Sequence, residues 1–233
     1  MGTGVRDRIL AVSVGVLWGR KHRDPQPELL PVTDVGLLVA DVSGPAPQIV
    51  ESQLIKGADL KRSSELILAH DLPVVTYNGL RFDWVALAAL ADVAPLIERT
   101  IDVYSALHGC VADLVEAEGV SGFPLRGDYG VLNPYRLSET NLGHVPGGTD
   151  DATGDAEMAL ALWHHFSSTE RALVAGSPRW IDDAGLAMLR GERPCIGDYS
   201  EWREMLAQRP EPKPYKRQKR HQITFPRIDQ RYV

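Results

Sequence analysis

"PVVTYNGLRFDWVAL", Pro73 to Leu87, decides how the chain is read. Its first part is apolar and partly β-branched, which predicts a buried strand over 72–78. Asn78-Gly79 then supplies a turn. Phe82-Asp83 opens an amphipathic run, read as one helix over 82–98 that ends near Pro95. Asp83 therefore stands between a buried strand and a helix start. Two readings fit it: an acid complementing a helix N-terminus, or a metal-binding carboxylate held at the lip of a sheet.

Upstream, the segments read as strands. Ile9–Trp18 carries Ile9, Val12, Val14 and Val16, and suits a buried strand. Arginines precede this run, but no small-residue cleavage site follows it, so a signal peptide is rejected. "DVGLLVADVSG", 34–44, is a second strand, and "PQIVESQLI", 47–55, a short third. A polar, Pro-rich loop or hairpin, 19–33, joins the first two. "ADLKRSSELILAHD", 58–71, has helical spacing over about three turns.

Downstream, helices dominate. "RTIDVYSAL", 99–107, reads as a strand entering a turn, and "VADLVEAEG", 111–119, as a helix stopped by Gly119. The Gly- and Pro-rich segment 119–136 is irregular. "LSETNLGHV", 137–145, reads as a short helix ending at Gly143, and "GDAEMALALWHHFSSTERALVAG", 154–176, as a long one. Strands followed by alternating strands and helices indicate a mixed α/β fold around one sheet. Weaker helices follow in 177–208. Residues 209–233 begin with a basic, Pro-containing run poor in aliphatic residues, which reads as a tail.

Composition narrows the function classes. A formal net charge of −6 argues against a surface that is all polyanion footprint, although a local basic patch is enough for nucleic acid. Lys216, Arg217, Lys219 and Arg220 in the tail are that patch, with phosphate contact as their functional reading. Cys110 and Cys195 fit no metal or redox spacing and suit a reducing, cytoplasmic compartment. No apolar run reaches the ~18 residues of a membrane span, so no membrane partner is expected.

Metal-dependent phosphodiester cleavage requires carboxylates from separate elements converging on divalent ions. Asp83 is the leading candidate. Asn78 is expected to fold its amide onto the loop, and Phe82 to anchor the turn in the core. Asp155 is the second candidate, in the first turn of the long helix beside Asp150, Asp151 and Glu157. Acids there are also ordinary dipole complements. His164 and His165 are expected to be surface or core residues rather than ligands.

Asn78-x-x-x-Phe82-Asp83 resembles the second motif of the DEDD (DnaQ-like) 3′-5′ exonucleases of the ribonuclease H-like superfamily. The Asp-containing strand 99–107, the helix 137–145 and the Asp155 helix are similar to the elements that follow in that family. The resemblance covers about Ile9 to Val174. It implies a ribonuclease H-like mixed sheet flanked by helices over 1–176; the helical C-terminal extension over 177–208 is read from the sequence pattern and lies beyond it. It further implies Mg²⁺ or Mn²⁺ held by Asp83 and Asp155, with Asp151 a third acid, and Asn78 and Phe82 near the substrate.

Two departures accompany the resemblance. The family's first motif, Asp-x-Glu on the first strand, is not found. With Ile9–Trp18 as that strand, Ser13 and Gly15 stand where the acids belong. Alternatively that segment is the second strand and the first is absent, or "VADVSG" with Asp41 is the first. Asp34, Asp41 and Glu51 are the acids available to substitute. In the third motif, Asp151 and Asp150 stand four and five residues before Asp155, where active relatives carry Tyr or His. Two functions follow as expectations: a metal-dependent 3′-5′ exonuclease acting on DNA or RNA, or an inactive module that binds nucleic acid or a protein partner.

Overall fold

In a computed structural model of the chain, the described residues are 7–17, 27–117, 130–174 and 177–208. The basic tail, including Lys216, Arg217, Lys219 and Arg220, lies outside them, as does Gly119. Five strands form the main sheet: β1 (Arg8–Val16), β2 (Val32–Asp41), β3 (Gln48–Lys56), β4 (Val74–Thr76) and β5 (Thr100–Asp102). Their spatial order is β3-β2-β1-β4-β5. β1 pairs antiparallel with β2 and parallel with β4; β2–β3 is antiparallel and β4–β5 parallel. The protein is thus α/β, with a mixed sheet flanked by helices and compatible with a ribonuclease H-like fold.

The position of β1 selects among the three readings of the missing motif. β1 is the central strand, and β2 follows it as an antiparallel neighbour remote from β4. Ile9–Val16 is therefore the first strand of the sheet, and the segment with Asp41 is the second.

β1 is apolar on both faces because both are covered. Ile9 and Ala11 join one core with Leu38, Ala40, Ala156 and Phe166. Leu10, Val12 and Val14 join the other with Ile67, Trp84, Leu96 and Trp202. The long helix α7 (Ala152–Thr169) covers the first face. The second carries α1 (Ser63–Leu68), α2 (Asp83–Leu87) and α3 (Ala94–Ile97). The first face also receives α4 (Val103–His108) and α6 (Pro134–Leu142). Between these two runs α5 (Ala112–Ala117).

Several expected elements are shorter than their patterns suggested. The run 82–98 is two helices, because the chain turns at 88–93 and Pro95 starts α3 instead of ending a helix. Proline is tolerated in a first helical turn, where its missing N–H has no partner to lose. The run 58–71 divides into a 3-10 segment, Gly57–Arg62, and α1. The long helix stops at Thr169, where Glu170 adopts φ 61, and Arg171–Val174 continues as strand β6. Its apolar residues Ala172 and Val174 serve the same core from an extended backbone.

β6 pairs with β7 (Ser177–Trp180), so this hairpin spans the boundary expected at 176. The remaining extension is α8 (Asp183–Leu189) and α9 (Tyr199–Ala207). It docks on the sheet domain: Ile181 and Leu189 enter the first core, and Ile196 and Trp202 the second. The indole N–H of Trp202 donates to the carbonyl of Leu80, at 2.7 Å. No described helix is long and apolar enough to cross a membrane.

Candidate functional site

β4 ends at Thr76, and the chain turns at once through Asn78, whose φ is 63. Asn tolerates this left-handed conformation better than most residues. Asp102, at the end of β5, holds the turn in place. Its carboxylate accepts from the backbone N–H groups of Asn78 (3.1 Å), Leu80 (2.9 Å) and Ser105 (3.1 Å). One buried carboxylate thereby fixes the loop after β4 and caps α4. Burial raises its pKa, and the three N–H donors and Arg81 oppose that rise.

Asp83 opens α2 and is 4% exposed. β1 pairs with β4 only at Leu10 and Ala11, so its later residues run past the end of β4. There the N–H of Val14 donates to Asp83 Oδ1 at 2.9 Å. Asp83 is therefore at the carboxyl ends of the parallel strands, where open α/β sheets bind ligands. Desolvation drives its pKa well above the ordinary 3.8, against the Val14 bond, and the negative charges of Asp155 and Asp102 add to the rise.

The turn is anchored differently from the sequence expectation. Phe82 is half-buried and belongs to neither core. Trp84, fully buried, is the anchor, and its indole N–H donates to Thr100 Oγ1 at 2.9 Å. The side-chain oxygen Oδ1 of Asn78 is buried with no hydrogen-bond partner.

α7 brings the second carboxylate. Asp155 lies in its first turn and opens to solvent, although surrounding protein shields it enough to raise its pKa. The hydroxyl of Tyr135 donates to Asp155 Oδ1 at 3.3 Å and opposes that rise, while Asp151 and Asp34 reinforce it. Tyr135 comes from α6, so its approach to Asp155 has no local sequence signature. Asp151 is the N-cap of α7: its Oδ1 accepts from Thr153 N at 3.0 Å and from the hydroxyls of Thr149 and Thr153. His164 and His165 lie on the second half of α7, partly buried, remote from its first turn.

Ser13 and Gly15 share the β1 face that carries Ile9 and Ala11, the face covered by α7. Their partners on β2 are Gly36 and Asp34. These positions are nearly stripped of side chains, and the start of α7 fills the room. A Cβ on Gly36 would collide with the backbone of Ala152 and Thr153. Of the three acids available to substitute, only Asp34 lies here. Asp41 pairs with Arg8 at the opposite end of β1 and accepts from Ser43. Glu51 is exposed on the edge strand β3.

Oxygen donors of this kind suit hard cations such as Mg²⁺ and Mn²⁺. Among the described residues, no three His, Cys, Asp or Glu side chains gather as a ready metal cage. Asp83 and Asp155 fit a lesser role. Mg²⁺ keeps several waters and is commonly held by one or two carboxylates together with substrate phosphates. The unpartnered Asn78 Oδ1 is a further oxygen at the same lip. No family model matches the chain, and no curated protein matches it.

Proposed function

We propose that this protein is a metal-dependent nuclease of the 3′-5′ exonuclease type, acting on nucleic acid. One observation carries the reading. Asp83 is buried at the carboxyl ends of the parallel strands, and the negative charges of Asp155, from a separate element, and of Asp102 act on it. Such a buried carboxylate is unfavourable unless a proton or a cation joins it. A divalent ion arriving with a phosphodiester satisfies that demand. Asp83 and Asp155 would hold Mg²⁺ or Mn²⁺, which polarises the phosphate and lowers the pKa of bound water. Tyr135, bonded to Asp155, orients that carboxylate.

A second reading draws on Ser13 and Gly15. With no carboxylate on β1, a pair of ions about 3.5–4 Å apart lacks its usual ligands. The chain would then bind nucleic acid, or a protein partner, without cleaving.

Labelled single- and double-stranded DNA and RNA, incubated with the full chain and Mn²⁺, separate the two. The expected result is a ladder of shortened products that disappears with Asp83→Asn and with Asp155→Asn. Retained binding with no cleavage of any oligonucleotide would establish the second reading instead.

A further inference from the structure

We infer that Trp202 and Cys195 of the C-terminal extension are positioning residues for the site: together they clamp the loop that carries Asp83. The inference rests on the reading above for the identity of the site and adds what sets its geometry.

Four residues from three segments form a closed path of hydrogen bonds. The indole N–H of Trp202, on α9, donates to the carbonyl of Leu80 at 2.7 Å. The N–H of Leu80 donates to Asp102 Oδ2 at 2.9 Å. The N–H of Asp102 in turn donates to Cys195 Sγ at 3.3 Å. The extension thus holds both ends of the bond that joins the loop to β5. Sulfur is a weak acceptor, so the indole is the stronger grip. Leu80 is 1% exposed, and a carbonyl buried there that lost the indole would have no ready water to replace it.

The path reaches Asp83 through the backbone. Phe82 N–H donates to the Asn78 carbonyl and Trp84 N–H to the Gly79 carbonyl, each at 2.9 Å, so 78–84 is one hydrogen-bonded turn. Leu80 and Trp84 also share a core with Ile196 and Trp202. The other half of the extension grips β5. Gly185 of α8 lies so close to α4 that a Cβ there would collide with the carbonyl of Ala106, and Asp102 is the N-cap of α4.

The competing role is that Trp202 only plugs the extension onto the core. Trp202→Phe separates the two, because it keeps a buried aromatic ring and removes the donor. Residue-resolved amide exchange is measured on the full chain in metal-free buffer. The amides of Leu80 and Trp84 are expected to exchange about tenfold faster, while those of β1, β2 and α9 keep their rates. Cys195→Ala is expected to give the same pattern more weakly, which keeps the test open should Trp202→Phe not fold. With oligonucleotide substrate, Trp202→Phe is expected to lower kcat about tenfold with KM little changed, because the displaced carboxylate acts on the chemistry.

Exchange that quickens uniformly across the sheet, or in α9 alone, would make Trp202 a plug and overturn the inference. A loop that loosens as expected in a chain that cleaves no oligonucleotide would sustain the clamp and defeat the nuclease reading. Cleavage by a chain whose loop is indifferent to both variants would do the reverse.

Discussion

Asp102 and Asp83 are both buried aspartates at the carboxyl ends of parallel strands, yet their surroundings differ. Asp102 receives three backbone N–H groups and feels the positive charge of Arg81. Asp83 accepts the Val14 N–H of β1, and the negative charges of Asp155 and Asp102 act on it. The first carboxylate is satisfied by the fold. The second has fewer donors from the fold and negative neighbours. A buried acid that the fold compensates is a structural part, whereas one left uncompensated is where a ligand completes the balance.

The sharpest way to break this comparison is to remove the satisfied acid. Asp102→Ala leaves three N–H groups without their acceptor and frees the loop that carries Asp83. Each orphaned buried donor costs about 1–3 kcal/mol, so a loss of about 3 kcal/mol or more is expected in urea unfolding. A loss below about 1 kcal/mol would mean that water replaces the carboxylate easily, and that the two aspartates differ less than their bonding suggests.

Asp83→Asn should act in the opposite direction and more weakly. The amide keeps an acceptor for Val14 N–H and removes the buried charge. Because Asp83 titrates higher in the folded chain than its ordinary 3.8, the folded state binds more protons above that pH. Its contribution to stability is full below pH 3.8 and is lost as pH rises through the folded value. In metal-free buffer, Asp83→Asn is expected to melt higher than wild type at neutral pH, with the difference shrinking as pH falls. Asp102 is raised in the same sense, so part of the slope survives in the variant. Equal melting of the two proteins at every pH would show that Asp83 carries no uncompensated charge.

How much of this was legible in the sequence follows the range of the interactions. A strand ahead of Asn78, the placement of Asp83 at a helix start and the first-turn position of Asp155 depend on local pattern, and the fold bears them out, although the strand is only Val74–Thr76 rather than 72–78. Element lengths were less legible: Pro95 reads as a stop by rule but as a start in context, and the apolar run after Thr169 suits strand and helix alike. The roles of Asp102, Asp34 and Tyr135 depend on partners far along the chain. Only a hydrogen-bond register across the sheet sets Asp34 against Gly15, and only the packing of α6 on α7 brings Tyr135 to Asp155. A glycine where an acid was expected was the one local hint that a neighbour's side chain uses the space.

Asp151 gives the smallest effect and the finest division between structural and functional acids. The family resemblance implied a third acid here. In the fold its Oδ1 is committed to Thr153 N–H and to the hydroxyls of Thr149 and Thr153, bonds that hold its pKa below the ordinary value. It behaves as Asp102 does, with its charge satisfied locally, though at the surface. Asp151→Asn keeps an N-cap acceptor and removes a negative charge that raises the pKa of Asp155. The expected outcome is near-normal melting and a slightly lower Asp155 pKa, read by carboxyl-carbon NMR, with Mn²⁺ binding close to wild type. A loss of binding as large as that from Asp155→Asn would move Asp151 from the satisfied class to the site itself. The comparison would then divide the acids by position rather than by compensation.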